Sequence, residues 1–238
     1  MALVGLFVPC YVSALRPADI GHARRVLEAL GDSVEVLDGV CCGQPAFNSG
    51  FRAEAKSVAR QALRAGQRYD RVVVLSGSCT SMVQHYAPTL WEGSRRDGAE
   101  RIAARFVEFT AYVASHSHLG DLGLRLSETL AYHDSCHNRR ELRATEQVVG
   151  LLESIEGLEL KRLQFEDECC GFGGTFNLKY PQVAGGMAGS KLADLAATGA
   201  PAIVSTDASC LTHLQRAGGD GWPATVSMAE LLARALPQ

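Results

Sequence analysis

Eight cysteines lie along this chain in one pattern that occurs twice, and this repeat constrains the fold more than any other feature. Each set has a single cysteine, an adjacent pair and a second single cysteine: Cys10, Cys41, Cys42 and Cys79, then Cys136, Cys169, Cys170 and Cys210. The first single cysteine precedes the pair by 31 residues in one set and by 33 in the other. A glycine follows each pair, as Gly43 and Gly171. The pattern predicts an internal duplication.

Hydrophobic periodicity predicts that strands and helices alternate in both halves, which is typical of α/β folds with parallel-rich sheets. Short apolar runs predict strands over 2–8, 34–38, 71–76, 129–133, 158–164 and 202–205. Amphipathic runs predict helices over 20–30, 52–66, 102–114, 142–155 and 182–198. We expect two similar lobes, 1–122 and 123–238, each a small sheet flanked by helices. Every cysteine follows the C-terminal end of a predicted strand, the edge where open α/β sheets bind ligands.

Charge and hydropathy exclude several classes of protein. The 238 residues carry a net charge of −3, so nothing indicates a nucleic-acid surface. The N-terminal apolar run is short and has no Lys or Arg before it, and no run reaches the roughly 18 apolar residues of a membrane span. We therefore expect a cytoplasmic protein without a transmembrane segment. In that reducing compartment, clustered thiols favour metal binding or redox chemistry over structural disulfides.

Four thiols at one sheet edge match the ligand number of a zinc ion or an iron–sulfur cluster. The Cys-x₂₋₄-Cys spacing of small zinc sites is missing, and single ligands from distant strand ends suit an object wider than one ion. The pattern therefore favours iron–sulfur clusters bound by all eight cysteines. A zinc-stabilised structural subunit and a thiol–disulfide enzyme remain as alternatives.

The duplicated pattern resembles the cysteine-rich (CCG) domain family that includes a subunit of heterodisulfide reductase and the iron–sulfur subunit of glycolate oxidase. The resemblance covers almost the whole chain. It implies a non-catalytic iron–sulfur electron-transfer subunit, with one cluster per repeat, of a complex that oxidises L-lactate to pyruvate or another 2-hydroxy acid such as glycolate. It also implies partner iron–sulfur and accessory subunits, and we expect the loops at 43–50 and 171–180 to face them.

The sequence departs from the family where the last motif has Cys-x-x-Cys, because Ser76 and Asp207 stand at the first of these two positions. With four thiols per repeat, a conventional [4Fe–4S] cluster is expected instead of the five-cysteine, non-cubane cluster that the resemblance implies. Ser76 and Asp207 are either oxygen ligands or, as we favour, caps of the following helices.

Other polar residues flank the second set. His133 and Asp134 are expected to end a strand and cap the next segment, while His137 and the Arg139-Arg140 pair are candidates to tune a cluster's charge. The acidic run at 166–168 is expected to form a solvated loop. The sequence Gly-Phe-Gly-Gly at 171–174 also offers more unobstructed backbone N–H groups than Gly-Gln-Pro-Ala at 43–46. We therefore expect the second repeat to hold its cluster more firmly and at the higher potential.

Overall fold

The computed structural model describes residues 3–37 and 39–237. It contains two four-stranded sheets in which all the paired strands are parallel, with helices packed against them. The prediction of an α/β fold with two similar lobes is confirmed. Ala2 and Asp38, which the sequence placed in the first two strands, lie outside the described residues.

The first lobe forms a sheet in the order β2-β1-β3-β4. Its elements are β1 (Leu3–Phe7), α1 (Cys10–Leu15), α2 (Ala18–Ala29), β2 (Ser33–Leu37), α3 (Gln44–Asn48), α4 (Arg52–Gly66), β3 (Arg71–Val74), α5 (Gly77–Ser81), α6 (Gly93–Ala103), β4 (Phe106–Glu108) and α7 (Phe109–Ala114). A π-helical turn and two 3₁₀ turns complete it, at Met82–Tyr86, Ala87–Leu90 and Leu119–Leu122.

The second lobe repeats this topology in the order β6-β5-β7-β8. Its elements are β5 (Thr129–Tyr132), α8 (Thr145–Glu153), β6 (Glu159–Arg162), α9 (Thr175–Lys179), α10 (Pro181–Thr198), β7 (Ala202–Ser205), α11 (Ala208–Gly218), β8 (Ala224–Ser227) and α12 (Met228–Ala235). A π-helical turn, His137–Leu142, precedes α8. Among the described residues, no helix is both long and apolar enough to cross a membrane.

The prediction of one helix over 102–114 is wrong, because β4 divides this stretch between α6 and α7. Phe106 is fully buried and pairs with Val72 on β3. The fourth strand therefore provides hydrogen-bond partners for the edge of β3, which a continuous helix would leave unpaired. The polar stretch at 93–101 belongs to α6. Tertiary pairing outweighs the local helical pattern at this position.

The two lobes share one hydrophobic core. It combines side chains from β1, such as Val4 and Leu6, with side chains from β5, such as Leu130 and Tyr132. The last helix of each lobe packs on the first long helix of the other: α12 on α2, and α7 on α8. Because each lobe covers apolar surface of its partner, the duplication folds as one body.

We expect replacement of Leu232 by alanine to lower the free energy of unfolding of the whole chain by about 2–5 kcal/mol. Leu232 is fully buried on α12 within the shared core, so the substitution leaves a cavity between the lobes. Urea unfolding measures the change. Leu15→Ala is the control, because Leu15 is 60% exposed, and its free energy of unfolding should change by no more than about 0.5 kcal/mol. Equal effects of the two substitutions would contradict the shared core.

Candidate metal centre

The eight cysteines meet at the C-terminal ends of the strands, where the two lobes face each other. Cys10 begins α1 directly after β1, and Cys136 follows β5 in the same way. Cys79 and Cys210 lie in the first turns of α5 and α11, while the two pairs lie in the turns before α3 and α9. All eight line one cavity of about 310 Å³. The structure thus brings together every cysteine that the sequence singled out.

Within the cavity the thiols contact one another inside each set. Cys10 and then Cys42 donate hydrogen bonds to Cys41, which hold the pKa of Cys41 well below its usual range. The pKa of Cys169 is lowered by the equivalent bonds from Cys136 and Cys170. Cys170 in turn lies 3.0 Å from Cys210, sulfur to sulfur.

In the first set, Cys42 connects Cys41 to Cys79, as Cys170 connects Cys169 to Cys210 in the second. A hydrogen bond with Cys41 and then one with Cys79 raise the pKa of Cys42. Each lobe thus holds a contiguous group of four sulfurs, in which Cys41 or Cys169 accepts hydrogen bonds from two neighbouring thiols. Since thiolates are the form that binds metals, both groups are prepared for the same chemistry.

Backbone N–H groups surround both groups of sulfurs. The N–H of Gly43 donates to Cys41 at 3.4 Å, and the N–H of Gly171 donates to Cys169 at the same distance. Phe172 donates to Cys170 at 3.5 Å, and Gln44 donates to Cys42 in the first lobe. These first donors are therefore equivalent in the two lobes. The lobes differ beyond them, where Gly173 and Gly174 line the cavity at positive φ.

The donor set fits a metal centre. Four sulfurs joined by a series of pairwise contacts are the number required by a zinc ion or a [4Fe–4S] cluster, and the adjacent N–H groups suit the negative charge of thiolate-bound metal. The cavity is far larger than the roughly 10–15 Å³ that one water molecule occupies on this measure. Its size leaves room for a cluster as well as for a single ion.

Ser76 and Asp207, which stand at the family's additional ligand position, cap helices. Ser76 Oγ accepts from the N–H of Cys79 at 3.3 Å, and an Asp207 oxygen accepts from the N–H of Ser209 at 3.2 Å. The favoured prediction of helix caps is confirmed. Asp207 also crosses to the first lobe, where it accepts from the N–H of Ser78 at 2.8 Å and from Tyr11 Oη at 3.1 Å.

We expect Asp207→Ala to lower the free energy of unfolding by about 2–3 kcal/mol, because it leaves the buried N–H of Ser78 and the hydroxyl of Tyr11 without this charged acceptor. Urea unfolding checks the value. Asp121→Ala is the control, because the exposed carboxylate of Asp121 contacts only His118 in the described ion pairs. Its free energy of unfolding should change by less than about 0.5 kcal/mol. An equally small effect at Asp207 would show that this contact between the lobes adds no stability.

The residues around Cys136 divide into two groups. Asp134 organises the following segment, accepting from the side chains of Asn138 at 2.8 Å and Thr145 at 2.6 Å. The strand ends at Tyr132, and these bonds from side chains are not the backbone cap that the sequence predicted for Asp134. His137 lines the cavity, and its Nε2 lies 3.3 Å from Gln44 Nε2 of the first lobe.

The charged residues near the second set pair with each other. Arg139 contacts Glu166 at 3.2 Å, and Arg140 donates to the carbonyl oxygen of Asp167 at 2.7 Å. Glu166 also pairs with Arg162. Glu166 is thus tied to arginines, whereas Asp167 and Glu168 are exposed, as expected for a solvated loop, and Arg140 contacts only a backbone oxygen of this run.

His133 is fully buried, and neither of its ring nitrogens has a hydrogen-bond partner among the residues that the structure describes. One ring nitrogen and the sulfurs of Cys170 and Cys210 all lie within 4.8 Å of one another. Burial, followed by the charge of Lys191, lowers the pKa of His133 to about 4. The imidazole lies next to the second group of sulfurs.

Sequence reasoning missed Tyr11 and Gln44, which line the cavity beside the cysteines. Tyr11 directly follows Cys10, and its hydroxyl donates to Ser76 and Asp207. In the sequence, only the position of Tyr11 next to Cys10 could have indicated its role. Its contact with Asp207 of the other lobe depends on how the two repeats face each other.

The fold and the cysteine groups define a duplicated cysteine-rich protein, and the chain belongs to the CCG cysteine-rich domain family, whose model matches residues 4–84 and 130–215. Several similar proteins are named lactate utilization protein A. Lactate utilization protein A from Shouchella clausii is 36% identical over 217 residues, covering 89% of each chain. Lactate utilization protein A from Bacillus pumilus is 37% identical over 214 residues, covering 89% of this chain and 90% of the relative.

Lactate utilization protein A 1 from Bacillus anthracis is 34% identical over 214 residues, covering 89% of this chain and 88% of the relative. Among solved structures, glutamate racemase isoform RacE1 from Bacillus anthracis is similar with a TM-score of 0.38 and 8% identity, covering 98% of this chain and 79% of that chain. A similarity at that level does not bear on the site.

Proposed function

We propose that this chain is the iron–sulfur electron-transfer subunit of a complex that oxidises L-lactate to pyruvate. The observation that carries the proposal is the lining of one cavity by two groups of four sulfurs, one from each repeat. The name shared by the similar proteins supports lactate as the substrate of the complex. We divide the repeats at 1–122 and 123–238.

The chemistry of the reaction agrees with two equivalent sites. Oxidation of a 2-hydroxy acid to a 2-oxo acid releases two electrons and two protons. A [4Fe–4S] cluster bound by four cysteines accepts one electron at a time. Cys10, Cys41, Cys42 and Cys79 would hold one cluster, and Cys136, Cys169, Cys170 and Cys210 would hold the other. Together the repeats accept both electrons, while the protons leave through the partner that oxidises the substrate.

The chain itself supplies ligation, burial and backbone N–H donors. Cys42, Cys79, Cys170 and Cys210 are buried, so half of the sulfurs lie away from bulk water. Cys10 is exposed, so an electron donor can approach the first group of sulfurs at this residue. This arrangement suits transfer of electrons between proteins better than acid–base catalysis on a small substrate.

We propose that partner iron–sulfur and accessory subunits dock on the face formed by segments 43–50 and 171–180. The sequence predicted loops here, but the structure has the short helices α3 and α9 within these segments. Phe51, next to the first segment, and Leu178 and Tyr180, within the second, are 61%, 78% and 57% exposed, and a patch of exposed apolar side chains is typical of an interaction site. Hydrogen exchange of the two segments should slow when the partner subunits are added. Unchanged exchange in both segments would place the docking face elsewhere.

The experiment that tests the function is anaerobic reduction by substrate. With the partner subunits present, L-lactate should bleach the visible absorption of the oxidised centres and produce an electron paramagnetic resonance signal from this chain. Glycolate serves as the comparison substrate. Faster reduction by glycolate would assign the complex to another 2-hydroxy acid, and no reduction by either would contradict the electron-transfer function.

A further inference from the structure

One of the differences between the two lobes concerns a buried position next to the cysteines. Phe7 and His133 each lie three residues before the first cysteine of their set. Phe7 is fully buried and packs in the apolar cluster that contains Cys42 and Cys79. His133 is equally buried beside the corresponding Cys170 and Cys210. An apolar ring in the first lobe is therefore replaced by an imidazole in the second.

A buried imidazole without a partner is costly, because each unsatisfied polar group loses its hydrogen bonds to water. Neither ring nitrogen of His133 has a hydrogen-bond partner within the described part of the chain. The residues packed around the second group of sulfurs are mainly apolar, among them Leu163, Leu195 and Ile203. A phenylalanine fills the same position in the first lobe without that cost. The imidazole therefore needs a partner that occupies the cavity.

Two kinds of contact with a metal centre are available to the ring. As a direct ligand, one nitrogen would bind the metal, and the other would remain a buried N–H donor with no acceptor. As a donor to sulfur, the ring uses its N–H and leaves only a lone pair unsatisfied. Orphaned buried N–H groups are rarer than under-used acceptors, and ligating histidines nearly always donate through their second nitrogen. The donor arrangement is the better satisfied one.

We propose that His133 donates its ring N–H to a sulfur of the metal centre in the second lobe, a hydrogen bond that Phe7 cannot make in the first. This inference rests on the proposed iron–sulfur function. Hydrogen bonds to cluster sulfurs stabilise the reduced state, so His133 raises the reduction potential of the second centre above that of the first. Electrons arriving at the chain then settle on the second lobe.

Two substitutions at His133 separate this role from packing. His133→Phe copies the residue of the first lobe, so the position is filled but the donor is lost. His133→Gln retains an N–H donor on a different side chain. The reciprocal Phe7→His adds a donor to the first lobe. Iron and acid-labile sulfide are measured for each full-length protein before its potentials are compared.

The readouts are a redox titration followed by electron paramagnetic resonance, and hyperfine spectroscopy on protein labelled with ¹⁵N-histidine. The transition that disappears in Cys42→Ser belongs to the first centre. In His133→Phe, we expect unchanged iron, a shift of the second transition to lower potential, and loss of one exchangeable-proton coupling. In His133→Gln the shift should be smaller, and Phe7→His should raise the first transition.

Equal potentials in wild type and His133→Phe, with normal iron and sulfide in both, would overturn this inference alone. A strong ¹⁵N coupling typical of a directly bound nitrogen would overturn the donor assignment. Absence of iron and sulfide from the wild type would overturn the proposed function and this inference with it.

Discussion

Replacing Cys170 with serine is expected to remove the metal centre of the second lobe and leave that of the first, so that bound iron falls by about half. Cys170 is buried and contacts both Cys169 and Cys210. A serine hydroxyl at this position is a much poorer donor for iron or zinc than the thiolate it replaces. The described thiol hydrogen bonds join members of one set, so each group should load independently.

Cys42→Ser is the matched control in the other lobe, because Cys42 is also buried and contacts Cys41 and Cys79. It should remove the first centre and preserve the second. Iron, sulfide and electron paramagnetic resonance spectra of both variants, purified anaerobically, give the comparison. Loss of all iron from either single variant would show that the shared cavity holds one indivisible site.

Gly171→Ala should cost about 2–5 kcal/mol of stability and release metal from the second lobe. Gly171 has a φ of +90°, which side-chain-bearing residues rarely adopt, and an added Cβ would lie 2.6 Å from the carbonyl oxygen of Ala184 and 2.8 Å from Cβ of Met187. The turn that carries Cys169 and Cys170 would have to move away from α10. Urea unfolding and iron retention measure both effects.

Two other glycines make the test specific. Gly189 lies within α10, and an added Cβ would have no atom within 4 Å apart from its own helix backbone, so Gly189→Ala should be neutral or stabilise by about 0.5–1 kcal/mol. At Gly43 the nearest atom, the Ala55 oxygen, is 3.2 Å away, so Gly43→Ala should be milder than Gly171→Ala. Iron retention in Gly171→Ala equal to that in Gly189→Ala would contradict the role of this turn.

The local features of the site were readable in the sequence. Continuous apolar runs such as 71–76 predicted buried parallel strands, and the cysteines do follow the strand ends. The strand β4 was not readable, because only three residues form it and Phe106 lies within an uninterrupted helical pattern. Its pairing with β3 is a tertiary interaction, which local periodicity does not encode.

The relation between the lobes was also beyond the sequence. The repeat predicted two groups of four thiols, but only the folded chain shows that both line one cavity and that Asp207 bridges from one lobe to helix α5 of the other. The exchange of Phe7 for His133 is visible once the repeats are aligned on Cys10 and Cys136. Its significance could not be predicted from the sequence. It depends on the structure, in which the imidazole is buried and its nitrogens have no hydrogen-bond partner among the described residues.

The prediction that the second centre is the firmer and has the higher potential stays a prediction. The first N–H donors are equivalent in the two lobes, so the backbone argument now depends on Gly173 and Gly174 alone. The imidazole of His133 acts in the same direction. The titration of His133→Phe separates these two contributions, because that variant retains both glycines.

The metal and sulfide content of the anaerobically purified chain tests the central claim most directly. Two [4Fe–4S] clusters correspond to about eight iron and eight acid-labile sulfide per chain, and this is the result we predict. Stoichiometric zinc without sulfide, or eight reduced thiols without any metal, would contradict the assignment of the two cysteine groups to electron-transferring clusters.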